Sequence, residues 1–268
     1  MSFTKQIFNN HVEFVEYIKS EAINQGWTLK KDGDDDGVAS RRIIILRDPL
    51  DRFDACFMIA LDVYNDYTYS GVINVQNCIN YDITERFASQ DTGDDDLHQV
   101  AFKTNAPLNS IVSIDSLRIV ACANQNGLVC NFYVGRYDSY KNAGLNNEDL
   151  ITLSTKTPYS SNLPGVVNYS RNSNYFSAGS IYSNGAWVTC KFSFTDYTFI
   201  QPNEGFFTFY PMIVMAENED RVFGELTGVY AIGQTGILPN AVFNFNSIDY
   251  HVFDSNETQP NYLLIKGE

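Results

Sequence analysis

Apolar residues recur with a clear helical period in only one stretch of this chain. Between His11 and Gln25 they fall at Val12, Val15, Ile18, Ala22 and Ile23, with Phe14 and Tyr17 widening the stripe. A recurrence of three to four residues lays one apolar face along a helix. Asn10, three residues before Glu13, has capping-box spacing, and Gly26 is placed to end the helix because glycine enters left-handed backbone without a steric penalty. The pattern predicts a helix over residues 10–26 that packs one face on a sheet.

From Trp27 onward the pattern shortens to that of strands. Trp27-Thr-Leu-Lys30, Arg42-Ile-Ile-Ile-Leu-Arg47, Phe57 to Tyr64 and Gly71 to Asn80 form a run of four candidates bounded by turn residues. The clearest hairpin joins Leu117-Arg-Ile-Val-Ala-Cys122 to Leu128-Val-Cys-Asn-Phe-Tyr-Val134. Asn126-Gly127 supplies the positive φ that a tight turn requires. Asn142 to Ser183 is rich in Ser, Asn, Tyr and Gly with little period, and is expected to form long ordered loops. Further strands are expected at Ala186–Phe192, Gly205–Tyr210, Met212–Met215, Gly228–Ile232, Tyr250–Phe253 and Tyr262–Ile265. The expected fold is mainly β, with antiparallel sheets in a sandwich-like arrangement, one N-terminal helix and long ordered loops. No internal repeat divides the chain, so 1–268 reads as one domain, a helix over 10–26 and a β body over 27–268. The one weak point is near 91–109.

Composition supports that reading. The 268 residues include 19 Phe and 17 Tyr, side chains that suit half-buried pleated surfaces. A chain of this length buries a core without metal or disulfide staples. The formal net charge of −14, with no cluster of Lys and Arg, argues against nucleic acid as a direct partner. No signal peptide and no apolar run of spanning length is seen, so a chain made soluble in the cytoplasm, without membrane insertion, is expected. The five cysteines, Cys56, Cys78, Cys122, Cys130 and Cys190, sit among apolar residues and read as buried thiols, with Cys122 and Cys130 the pair that a hairpin would bring face to face.

Candidate chemistry is sparse. Asp32-Gly-Asp-Asp-Asp-Gly37 opens like a calcium loop, with Asp32, Asp34 and Asp36 as candidate ligands. The twelfth position, however, is Ile43 where a bidentate Glu belongs, so a solvated turn is the stronger reading and calcium the only candidate cofactor. His11, His98 and His251 have no His or Cys at metal-ligand spacing, and are expected in the first helical turn, an acidic loop and a strand. No nucleophile elbow, phosphate loop or dinucleotide fingerprint occurs, and no catalytic residue is nominated. Tyr169, Tyr175, Phe176 and Tyr182 are candidate interface aromatics, suited to subunit contact or to stacking on sugars. Glycoside hydrolysis needs only two carboxylates at a suitable separation, so it stays among the alternatives.

The order of segments carries more than any single motif. A short helix leads into Trp27-Thr28, the hairpin Leu117 to Arg136 follows, then Tyr- and Ser-rich loops and Gly185-Ala-Trp187. The chain closes on Gly224-Glu-Leu-Thr-Gly-Val-Tyr230, Tyr250-His-Val-Phe253 and Tyr262-Leu-Leu-Ile265. This layout resembles a family of virion structural proteins of tailed bacteriophages, most tightly over the last forty-odd residues. The resemblance implies a non-enzymatic subunit of the tail, at the baseplate or tail tip, built in several copies and contacting other tail proteins and itself. A receptor- or carbohydrate-binding module of the tail is the second expectation and a surface-glycan hydrolase the third.

Overall fold

Asn10 and Glu13 cap the helix as their spacing predicts, with one difference. The Asn10 side chain accepts from Glu13 N–H at 2.9 Å, but the Glu13 carboxylate reaches back to Asn9 N–H at 3.0 Å, one residue further out than a capping box. Gly26 ends the helix at φ +97°, with its own N–H on Ile23 O and Trp27 N–H on Ala22 O, both 3.0 Å. This pair of bonds is a Schellman closure. The computed structural model describes residues 1–35, 41–50, 55–63, 71–85, 90, 92, 98–102, 106–125, 128–140, 150–154, 178–183, 186–192, 209–216, 222–233, 240–253 and 261–267.

Strand β1 (Ser2–Phe8) precedes helix α1 (His11–Asn24). It was not expected, because Ile7 points outward, 66% exposed, and blurs the alternation. The next five strands, β2 (Thr28–Asp34), β3 (Arg41–Arg47), β4 (Cys56–Val63), β5 (Gly71–Cys78) and β6 (His98–Phe102), form an antiparallel sheet in sequence order. Two expectations are corrected here. The acidic stretch from Asp32 to Asp34 is strand paired with Ile44 to Arg42, not turn. His98 opens a strand rather than lying in a loop.

The remaining strands are β7 (Leu108–Ile114), β8 (Arg118–Gln125), β9 (Leu128–Arg136), β10 (Asp138–Ser139), β11 (Leu150–Ser154), β12 (Ala178–Ser183), β13 (Ala186–Phe192), β14 (Tyr210–Ala216), β15 (Val222–Gly233), β16 (Val242–Phe245), β17 (Ile248–Phe253) and β18 (Asn261–Lys266). With β1 they build a second antiparallel sheet in the order β1-β7-β8-β9-β11-β12-β13-β14-β15-β18-β17-β16, and β10 pairs with β15. The loop expectation for 142–183 is corrected at β11 and β12, which are paired strands; residues 142–149 and 155–177 lie outside the described residues. The tight turn at 126–127 also lies outside them, but Gln125 faces Leu128, so two residues make the connection.

Three layers result, with β7, β8 and β9 in the middle. One face of this trio, including Leu108, Ile119, Ala121, Phe132 and Val134, packs against Phe14 and Ile18 of the helix and against Ile44, Leu46, Phe57 and Val75 of the smaller sheet. The other face, including Ile111, Val120, Cys122 and Tyr133, packs against Val214, Phe223, Val229, Leu263 and Ile265 from the far end of its own sheet. The larger sheet therefore curls over on itself. Its two ends meet where the Phe3 and His251 rings stack at 4.1 Å and Lys5 Nζ donates to Asn240 O at 3.2 Å.

Opposite faces also decide the cysteines. Cys122 faces Asn131, and Cys130 faces Ala123; Cys122 belongs to one core and Cys130 to the other. All five cysteines are buried thiols as expected, but Cys122 and Cys130 do not come face to face, since neighbouring positions along a hairpin point to opposite sides of the sheet. The weak point near 91–109 spans the crossing from β6 in the smaller sheet to β7 in the larger.

Candidate functional site

One end of the smaller sheet carries a row of four residues in register. Thr28 pairs with Arg47, Arg47 with Cys56, and Cys56 with Cys78. Side chains on one face of a sheet alternate with those on the other, and here Phe57, Ile59, Ile73 and Val75 take the inner face. Cys56 and Cys78 are left on the outer face with Ile43, Ile45 and Met58. A pocket of about 450 Å³ opens over this end, lined by Lys30, Arg47, Cys56 and the segment Asn80 to Ile83.

The segment after β5 forms the pocket wall because its backbone is tied down. Asn80 takes the left-handed conformation, φ 49°, which Asn tolerates better than most residues. The Asp82 carboxylate accepts from Thr84 N–H at 2.8 Å and Thr84 Oγ1 at 2.7 Å, which holds it below the usual carboxylate range. The buried Gln90 amide then clamps Asp82 from both sides, donating to its carbonyl at 2.7 Å and accepting from its N–H at 3.2 Å. Tyr81 packs on the Cys56, Cys78 and Met58 cluster. Burial, with the two cysteines beside it, pushes its phenol up to about 12, and its hydroxyl has no hydrogen-bond partner among the described residues. Among the described residues the lining thus combines two cations, an amide, a thiol, a phenol and one carboxylate, Asp82. That chemistry suits a small polar or anionic molecule.

Beside this end, a buried ion pair crosses from the smaller sheet to the larger. Arg136 Nη2 donates to Asp48 Oδ2 at 2.6 Å with both side chains at most 5% exposed, while Asp48 Oδ1 caps Leu50 N–H at 2.8 Å. Arg118 is buried on the neighbouring strand, on Asp115 at 3.2 Å and against Gly228 at φ +68°, where a Cβ would meet its guanidinium at 2.6 Å.

The residues singled out from sequence are dispersed. Asp32 and Asp34 lie on β2; Asp36 is outside the described residues. The Asp32 carboxylate is occupied, with Arg42 Nε at 2.7 Å on one oxygen and Lys19 Nζ and Arg42 Nη2 on the other at 2.8 and 2.9 Å. Among the described residues no three His, Cys, Asp or Glu side chains come together as a metal site. Tyr182 is half-buried, tilted on Trp187 at 5.2 Å, and both pack on Ala55 and Ile79 of the smaller sheet. Tyr169, Tyr175 and Phe176 lie outside the described residues. His11 is buried at the start of α1, and burial lowers its pKa; burial and then Lys5 lower that of His251. The Cys56–Cys78 row was missed because no local motif marks it. No family model and no curated protein matches the chain.

Proposed function

We propose that this chain is a non-enzymatic structural subunit of a tailed-phage virion, at the baseplate or tail tip, that acts by multi-copy protein–protein assembly. The observation that carries the reading lies in the segment of family resemblance. Gly224 to Tyr230 belongs to β15, Tyr250 to Phe253 to β17, and Tyr262 to Ile265 to β18, and these pair side by side as β15-β18-β17. The three stretches are thus neighbouring strands of one sheet.

Among the described residues this sheet ends in an edge strand. Strand β16 is last in the sheet order, and it exposes Val242 at 49% and Phe245 at 59%. An apolar edge strand is a template for pairing with another chain. The test is sedimentation velocity over a concentration series, with wild type and Phe245→Asp side by side, and co-purification with tail particles. Wild type is expected to form higher-order species and to travel with tails, and Phe245→Asp to shift towards monomer. A wild-type monomer at the highest soluble concentration, absent from tail particles, would overturn the reading.

The second reading, a receptor- or carbohydrate-binding module of the tail, is favoured by the pocket at the end of the smaller sheet, where Asn80, Tyr81 and Asp82 offer polar groups around one opening. Glycan-array binding by wild type that is lost in Tyr81→Ala would support it over assembly alone.

A further inference from the structure

We propose that Cys56 and Cys78 form a thiol–disulfide exchange site, opened to small disulfides by the pocket at the end of the smaller sheet. It is independent of the assembly reading and rests on backbone register. All five cysteines are thiols, and only Cys56 and Cys78 face each other in the ladder.

The hydrogen-bond pattern gives their spacing. Asp48 N–H bonds to Ala55 O at 3.0 Å, so the next pair along, Arg47 and Cys56, is a non-hydrogen-bonded one. Antiparallel ladders alternate, and the peptide groups of Cys56 therefore turn to β5. Cys56 and Cys78 are then a hydrogen-bonded pair, with Cα atoms about 5.5 Å apart, within the roughly 4.4–6.8 Å that disulfides span. Their Cβ atoms, about 5.5 Å apart because a hydrogen-bonded pair sits at the wide end of the cross-strand range, must close to about 4 Å in a disulfide. The bond forms with a small strand adjustment and carries strain, which makes it easily reduced.

Position against the pocket sets the order of events. Both thiols are buried, but Cys56, 2% exposed, lines the pocket, while Cys78, 0% exposed, lies behind it. Among the described residues of the lining the two cations, Lys30 and Arg47, outnumber the one carboxylate, Asp82, which favours an anionic disulfide of the glutathione type. The Cys56 thiolate attacks one sulfur of that disulfide, forming a mixed disulfide and releasing one thiolate. Cys78 then loses its proton and attacks the Cys56 sulfur, which closes the protein disulfide and expels the second thiolate. The protein gives up two electrons and two protons, and the small disulfide becomes two thiols. Cys122 and Cys130 take no part, since burial raises both thiols and they sit on opposite faces.

The experiment treats the native full-length chain with excess glutathione disulfide, quenches in acid, alkylates under denaturing conditions and maps peptides by mass spectrometry. Two fewer alkylated cysteines than the five of the reduced chain are expected, with one Cys56–Cys78 cross-linked peptide reversed by dithiothreitol. Cys78→Ser is expected to stop at a glutathione adduct on Cys56, and Lys30→Glu to slow adduct formation several-fold at low ionic strength. If Cys78→Ser does not fold, the wild-type peptide map alone decides. Five alkylated cysteines after treatment, or a cross-link through Cys122, Cys130 or Cys190, would overturn the proposal.

Discussion

Arg136 shows how much one side chain can depend on a partner far away in sequence. Its guanidinium is 3% exposed and rests on Asp48, 88 residues earlier. Around it, Arg136 N–H bonds to Leu117 O at 2.9 Å, and the Tyr133 hydroxyl donates to Arg136 O. Removing one partner of a buried pair leaves an uncompensated charge, so Asp48→Ala is expected to cost about 3–5 kcal/mol, including the lost cap on Leu50. Urea denaturation measures it, and a cost below about 1 kcal/mol would mean that Arg136 finds water or another acceptor. Nothing in Asp48-Pro49 as a sequence pointed to this role, since an Asp before Pro reads as an ordinary turn residue.

At the scale of elements, the helix is tied to the strands it packs on by charge as well as by its apolar face. Asp32 on β2 holds Arg42 of β3 and Lys19 of α1, and Glu16 of α1 pairs with the same two cations. The Arg42 hydrogen bond is the largest influence that holds the Asp32 carboxyl below its ordinary value. The unfolded chain therefore binds the Asp32 proton more readily than the folded one, and the network's contribution is present above the ordinary carboxylate pKa and lost as pH falls through the lower folded value. Asp32→Asn is expected to cost less than about 1 kcal/mol at neutral pH, because the group is largely exposed and screened. Stability curves of wild type and variant should converge below the ordinary carboxylate range. Parallel curves across that range would show that the network adds nothing.

For the whole molecule, the decisive contact is between sheets. Phe57 of the smaller sheet and Phe132 of the larger have ring centroids 5.9 Å apart in a core that also holds Phe14 and Ile18 of the helix. Asn77 adds a buried bridge, its side chain donating to Ile151 O at 2.7 Å. A core shared in this way predicts one cooperative unfolding transition for the chain. Phe57→Ala and Phe132→Ala should each lower it by about 3–5 kcal/mol, with a loss in the double variant that is not the sum of the two. Two resolved transitions, with each substitution moving only one of them, would divide the molecule at the crossing between β6 and β7.

Local chemistry was enough to determine several features. The capped helix follows from Asn10, Glu13 and Gly26, and the hairpin of β8 and β9 from two apolar runs around Asn126-Gly127. The mainly β character follows in the same way, because periodicity and turn residues act over a few positions. Strands without that signature were not legible. Leu108-Asn-Ser-Ile-Val-Ser-Ile114 is buried on both faces and so does not alternate, while Ser2–Phe8 is an edge strand with Ile7 turned to solvent. Only tertiary structure decided which cysteines meet, which carboxylate neutralises Arg136 and how the large sheet curls back on itself. Each depends on strand register and sheet order, and a shift of one residue along a ladder sends every side chain to the opposite face.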